Sequence, residues 1–119
     1  MSWIRIGSCF MLAGVALGAF GAHGLKDRLS PASLQVYQTA VLYHLIHGLG
    51  LLAVGWLAVQ RPAASLVGAA GCAFASGILL FSGSLYALAV TGHSAFGLLT
   101  PFGGLVLLIG WLCLALAAR

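Results

Sequence analysis

The side chains most able to do chemistry in this chain are four histidines, two of which lie three positions apart. His44 and His47 share one side of any helix that contains them, because side chains three or four positions apart are neighbours. Neutral imidazole is a common metal ligand and a proton carrier, so the pair could form a haem or metal site or a proton relay. Alternatively, each ring hydrogen-bonds a neighbouring helix, through Ser82, Ser84 or a backbone carbonyl. We favour this structural role, since the nearby sequence offers no carboxylate or thiolate to complete a metal shell.

The other reactive groups do not combine into a recognisable active site. Asp27 is the only acid, and acid–base catalysis normally needs a positioned pair of groups. The three cysteines form no CxxC motif and lie in apolar surroundings, where thiols are inert. Cys9 and His23 would be about 21 Å apart along one helix, too far to share a zinc ion. We therefore expect no catalytic residue, no metal and no cofactor, and we predict that the protein is not an enzyme.

The composition of the chain indicates which structural elements hold these residues in place. Of the 119 residues, 62% are hydrophobic and only 5% are charged, whereas a soluble domain has about 25% charged residues. Such a chain cannot cover itself with a wetted surface, so its main solvent is lipid. A membrane-spanning helix needs about 20 apolar residues. The chain therefore predicts an all-α membrane protein, a four-transmembrane-helix up-down bundle in one domain (1–119), with spans at about 3–22, 39–59, 65–89 and 101–118.

Local signals refine these helices. Ser30 followed by Pro31 predicts a helix start, with a hydroxyl cap and then a proline where no amide hydrogen bond is lost. A helix from Pro31 to Val59 is longer than the hydrocarbon core, so residues 32–38 are expected in the interface. Small residues recur at helical spacing, as in Gly14 and Gly18, which favours close helix packing within the chain or between copies.

The basic residues predict an orientation. Four spans put both termini on one side, together with Arg5, Arg61 and Arg119, and leave Lys26 and Arg28 on the other. The positive-inside rule then places the termini in the cytoplasm. These cations are too scattered to form a nucleic-acid-binding stripe, so we expect the lipid bilayer as a partner and no nucleic acid.

The remaining polar residues divide by depth. All three tryptophans and all three cysteines fall in the half nearer the termini, whereas the histidines, tyrosines and several hydroxyl residues fall in the opposite half, which this orientation places toward the periplasm. The candidate residues of a ligand site or polar network in that half are His23, Tyr43, His47, Ser82, Ser84, Tyr86 and Thr100.

Four ordered motifs resemble a known family. They are GAFGAHGL at residues 18–25, YQTAV followed by YH and a further His at 37–47, FSGSLYAL at 81–88, and TPFGG with a later GW at 100–111. Together they resemble the bacterial family called domain of unknown function 423, related to the transmembrane protein 256 family. The resemblance implies a four-span inner-membrane protein and carries no activity with it. It also implies a greater role for His47 than for His44, where we expect Gln in many relatives.

The leading functional prediction is a non-enzymatic inner-membrane protein that binds a partner, a lipid or a small ligand at its polar His/Tyr/Ser side. One alternative is an oligomeric transporter or channel for a proton or small solute, since a single four-helix bundle is too narrow for a wide pore. A second alternative is a haem- or metal-binding membrane protein. A homo-oligomer or a complex with another membrane protein is compatible with each of these three functions.

Overall fold

Long apolar stretches of the chain form four helices. The computed structural model describes residues 2–119, and no strand occurs in this range. The helices are α1 (Trp3–Phe20), α2 (Pro31–Gln60), α3 (Ser65–Thr91) and α4 (Thr100–Ala117), with a π-helical turn (Gly21–Leu25) after α1 and a 3₁₀ turn (Ser94–Leu98) before α4. Each helix, counted with its adjoining turn, is long and apolar enough to cross a membrane. The predicted all-α, four-span architecture is confirmed.

The helix ends follow from local sequence. The Ser30 side chain accepts a hydrogen bond from the Ser33 amide at 3.1 Å, and Pro31 occupies the first turn of α2, as predicted. Gly92 ends α3 with φ of 73°, a left-handed conformation that glycine adopts without strain. With 30 residues, α2 is about 45 Å long and exceeds a hydrocarbon core of about 30 Å.

The helices pack in chain order. The main packed pairs are α1 on α2, α2 on α3 and α3 on α4, so α2 and α3 form the centre and α1 and α4 lie outside. The molecule measures 48 × 26 × 19 Å. Because α4 packs on α3, its contact with α2 is limited, and this arrangement creates the groove described below.

Small residues allow the backbones to approach. Gly14 in α1 faces Leu45 of α2, and Gly103 in α4 lies directly against the backbone of Phe81 in α3. Gly77 of α3 faces Leu107 of α4 in the same way. In lipid, helices associate through such close packing, because apolar side chains gain little by leaving an apolar solvent.

The centre of the molecule is built around Phe74. Its side chain is fully buried and packs with Leu51, Val54 and Ile78. Its ring also lies 5.7 Å from the His47 ring and 4.8 Å from the Trp111 ring, between ring centroids. The core therefore supports the residues of the candidate site directly.

Candidate functional site

His47 is held by two hydrogen bonds that define its protonation. Its Nδ1 lies 2.7 Å from the Tyr43 carbonyl oxygen, and its Nε2 lies 3.0 Å from the indole nitrogen of Trp111. A carbonyl only accepts and an indole N–H only donates, so Nδ1 donates and Nε2 accepts. His47 is therefore a neutral imidazole with its proton on Nδ1. It is only 5% exposed, and neither nitrogen is free.

His44 holds the opposite tautomer. Its Nε2 donates to the carbonyl oxygen of Phe10 in α1 at 2.8 Å. In the neutral imidazole this leaves Nδ1 to accept from the hydroxyl of Tyr86 in α3, at 3.0 Å. His44 thus connects three helices, whereas His47 connects α2 to α4.

The two histidines belong to separate groups. Within residues 2–119 they share no hydrogen-bond partner, since His44 contacts α1 and α3 and His47 contacts α4. Each histidine ring does bond a backbone carbonyl, which is one of the structural roles considered for these residues from the sequence. The expected bonds to Ser82 or Ser84 are absent among these residues, and Tyr86 and Trp111 take their place.

The two serines bind elsewhere. Ser82 donates to the Ala40 carbonyl at 2.8 Å and so joins α3 to α2. Ser84 donates to the Phe81 carbonyl at 2.9 Å, and its oxygen lies 2.6 Å from the Thr100 hydroxyl. Because the single hydroxyl hydrogen of Ser84 is already donated, Thr100 is the donor of this second bond. These bonds fix the start of α4 against α3.

Tyr37 is a polar contact that the site prediction did not include. Its hydroxyl donates to the Leu17 carbonyl at 2.5 Å, next to the π-helical turn where Gly21 leaves room for the tyrosine ring. The Tyr37 and Tyr86 rings lie 5.2 Å apart. The signal was present in the sequence, because Tyr37 begins the second motif.

His23 does not join the other candidates. It is exposed in the π-helical turn, and its side chain makes no hydrogen bond within the described chain. Of the seven predicted residues, Ser82, Ser84, Tyr86 and Thr100 make interhelical bonds, and Tyr43 and His47 border a groove.

The groove lies between α2 and α4 and has a volume of about 660 Å³. The Tyr43 ring packs on Phe81, with centroids 4.4 Å apart, and on His47 at 5.9 Å. Tyr43 is 38% exposed and Trp111 41%, so the groove opens sideways toward the lipid. Its lining residues are Tyr43, Ile46, His47, Phe81, Pro101, Gly104, Leu105, Leu107, Leu108 and Trp111.

One polar group of the lining residues has no hydrogen-bond partner. The Tyr43 hydroxyl makes no hydrogen bond to any residue between 2 and 119, although every buried side-chain nitrogen and oxygen in that range is satisfied. No charged residue lines the groove. The groove therefore offers apolar walls, four aromatic rings and one free hydroxyl.

The position of Trp111 differs from the predicted separation of tryptophans and histidines into two halves of the bundle. From the sequence, Trp111 is predicted with the other tryptophans near the termini, and His47 is predicted in the opposite half. The structure joins the two side chains by a hydrogen bond, so the boundary between the halves runs through this pair. Trp111 is a hydrogen-bond donor to a buried histidine.

The described residues contain no group of three or more His, Cys, Asp or Glu side chains that could hold a metal ion. Cys9, Cys72 and Cys113 are free thiols. A metal at His47 would also have to displace either Trp111 or the Tyr43 carbonyl, since both ring nitrogens are engaged.

Comparison with known proteins gives a family and no activity. A family model described as "Protein of unknown function (DUF423)" matches residues 17–104. The chain is 45% identical to the UPF0382 membrane protein YwdK of Bacillus subtilis, over 98% of this chain and 94% of the relative. It is 42% identical to a UPF0382 membrane protein of Staphylococcus epidermidis, over 97% and 93% of the two chains. No solved structure matches the chain.

Proposed function

We propose that this chain, which belongs to the DUF423 family of membrane proteins, binds a small ligand dissolved in the lipid bilayer, in the groove between α2 and α4. The observation that carries the proposal is the free Tyr43 hydroxyl. Tyr43 is 38% exposed, so a ligand in the lipid can reach this hydroxyl. A hydrogen bond to it would contribute about 0.5–1.5 kcal/mol to binding.

The form of the groove supports the same proposal. Small-molecule sites are concave, mostly apolar clefts of about 300–1,000 Å³ with a few placed polar groups. The groove falls within this range.

The proposal includes no catalytic step. His47 is the strongest base in the groove by residue type, but both its nitrogens are engaged in hydrogen bonds. Among the lining residues that the structure describes, Tyr43 has the only free side-chain polar group, and a catalytic acid or base normally acts in a positioned pair.

We also propose an inner-membrane location with cytoplasmic termini. Arg5, Arg61 and Arg119 lie on the side of the termini, and Lys26 and Arg28 lie in the connection after α1. The larger number of cations on the side of the termini supports this orientation.

Photolabelling tests the proposed site. The protein in detergent micelles is exposed to octanol that carries a diazirine, irradiated, digested and mapped by mass spectrometry. We expect adducts to concentrate on the peptides that contain Tyr43 and the first half of α4, and to be sparse on the lipid-facing side of α1.

Two glycine substitutions provide a matched comparison. Gly104→Leu fills the groove, and its Cβ would meet only Phe81 ring atoms at 3.6 Å, an ordinary contact. Gly83→Leu adds the same side chain to α3, where nothing lies within 4 Å of the new Cβ. Gly104→Leu should reduce groove labelling severalfold and Gly83→Leu should not. Equal labelling of all lipid-facing peptides in the three proteins would contradict the proposal.

A further inference from the structure

We infer that the ligand is an uncharged, planar ring that bears a carbonyl oxygen and an apolar chain, the chemistry of a membrane quinone. This inference rests on the proposed function and names the ligand class of the same groove. It concerns binding only and includes no electron or proton transfer.

The electrostatics of the groove require an uncharged ligand. All six charged side chains of the protein lie near helix ends or in connections, and none lines the groove. His47 is also neutral, because it accepts a hydrogen bond at Nε2. A carboxylate or phosphate in this apolar setting would lack a counter-charge and would bind at a large desolvation cost. Fatty acids and phospholipid headgroups are therefore poor occupants.

The hydrogen-bonding groups select the polar function of the ligand. The indole N–H of Trp111 and the Nε2 of His47 bond each other, so only the Tyr43 hydroxyl remains available. A phenolic hydroxyl is a better donor than acceptor, because its ring withdraws electron density from the oxygen. A carbonyl oxygen, which only accepts, is the matching partner.

The aromatic side chains select a flat ring. Tyr43, His47, Phe81 and Trp111 all line the groove, and the Tyr43 and Phe81 rings are inclined by only 32°. Aromatic rings stabilise one another in offset-stacked and edge-to-face arrangements. A planar conjugated ring gains these contacts in addition to burial, and a flexible acyl chain does not.

The length of the groove accommodates an apolar chain. Its lining extends along α4 from Pro101 to Trp111, about 15 Å at the usual helical rise. Leu105 and Leu108 line this path and are largely exposed, so a chain that follows it contacts leucine on one side and lipid on the other.

Competition against the octanol photolabel tests the ligand class with three compounds that share an apolar chain. Decylubiquinone has a planar dione ring with two methoxy groups, decylbenzene has a planar ring without oxygen, and decanoate has a carboxylate and no ring. We expect decylubiquinone to displace the label at about three- to tenfold lower concentration than decylbenzene, the value of one net hydrogen bond. Decanoate should compete worst.

Tyr43→Phe is the decisive variant, because it removes only the hydroxyl. It should abolish the preference for decylubiquinone over decylbenzene while the groove is still labelled, and Gly83→Leu should retain the preference. A preference that survives Tyr43→Phe, or decanoate as the best competitor, would overturn this inference. If the label maps to the groove and decylubiquinone does not compete, only the ligand class fails. If the groove is not labelled at all, the proposed function fails with it.

Discussion

His44 and His47 lie three positions apart in α2 but hold their protons on different ring nitrogens. Each tautomer follows from a partner whose role is fixed, a carbonyl at Nε2 of His44 and an indole N–H at Nε2 of His47. Because these partners come from α1 and α4, each ring fixes the position of a different outer helix. The ionisable pair therefore stabilises the fold, and the exposed Tyr43 beside it remains available for a ligand.

Trp111→Phe should destabilise the protein. It leaves the buried Nε2 of His47 without a donor, at a cost of about 1–2 kcal/mol. The measurement is the loss of helicity during SDS titration of mixed micelles. Trp56→Phe is the control, since Trp56 is 64% exposed and its indole makes no hydrogen bond within residues 2–119. Equal shifts for both variants would contradict the role assigned to Trp111.

Two tyrosine variants compare a hydroxyl that bonds another side chain with a hydroxyl that has no partner in the described chain. Tyr86→Phe removes the partner of His44 Nδ1 and should cost about 1 kcal/mol in the same titration. Tyr43→Phe removes a hydroxyl without a partner in the described chain and should change stability by less than about 0.5 kcal/mol. A larger loss for Tyr43→Phe than for Tyr86→Phe would mean that the Tyr43 hydroxyl has a structural partner.

At the residue scale, the sequence predicted part of the site. Tyr43 and His47 are recognisable because polar aromatic residues are unusual in an apolar span. His47 and Trp111 were predicted in opposite halves, but the structure places them at the same depth. Thr100, the first residue of α4, bonds Ser84, seven positions before the end of α3, so α4 starts deeper than the end of α3. Linear counting cannot reveal that offset, which brings Trp111 level with His47.

At the scale of elements, adjacent glycines in α4 have different functions. Gly103 lies against the backbone of Phe81, and Gly104 faces the groove. The close approach at Gly103 lets α4 pack on α3, and that packing leaves the space beside α2. The same two helices thus provide both the stability of the bundle and the volume of the groove.

Gly103→Ala should destabilise the protein by about 1–3 kcal/mol, because the new Cβ would meet main-chain atoms that cannot move without separating the helices. Gly104→Ala is the matched control, since its Cβ would lie 3.6 Å from the Phe81 ring. It should leave the SDS midpoint unchanged or slightly raised, because alanine is the better helix former. If the two variants were equally stable, α3 and α4 would not pack as closely as described.

Some elements of the fold can be predicted from local sequence patterns, and others cannot. The four helices follow from long apolar stretches, and Ser30 with Pro31 marks the start of α2 correctly. The π-helical turn after α1 and the 3₁₀ turn before α4 were not predicted. The first of these turns lies beside a tertiary contact that no local pattern contains, the hydrogen bond from the Tyr37 hydroxyl to the Leu17 carbonyl.

At the scale of the whole molecule, the orientation is testable with fusions. A fluorescent protein at the C-terminus should fluoresce, and alkaline phosphatase at the same position should be inactive, if the side with Arg5, Arg61 and Arg119 faces the cytoplasm. Phosphatase inserted between Lys26 and Arg28 should be active, because this connection would then face the periplasm. The reverse pattern in all three fusions would show that the termini lie on the opposite side of the membrane from the cytoplasm.

The order of helix packing explains why the molecule has a lateral site. The two central helices bury the aromatic core around Phe74, and α4 packs mainly on α3, so the side chains between α2 and α4 face lipid. We propose that a ligand enters this groove from within the bilayer, and binding at a specific site must then be saturable.

The most direct test is the dependence of groove labelling on the concentration of diazirine octanol. We predict that labelling of the Tyr43 and α4 peptides saturates and that Gly104→Leu abolishes the saturable part. Labelling of exposed α1 residues such as Leu12 should rise linearly in every variant. Linear labelling of the groove peptides, identical in Gly104→Leu and the unmodified protein, would show that lipid and detergent fill the groove without specific binding.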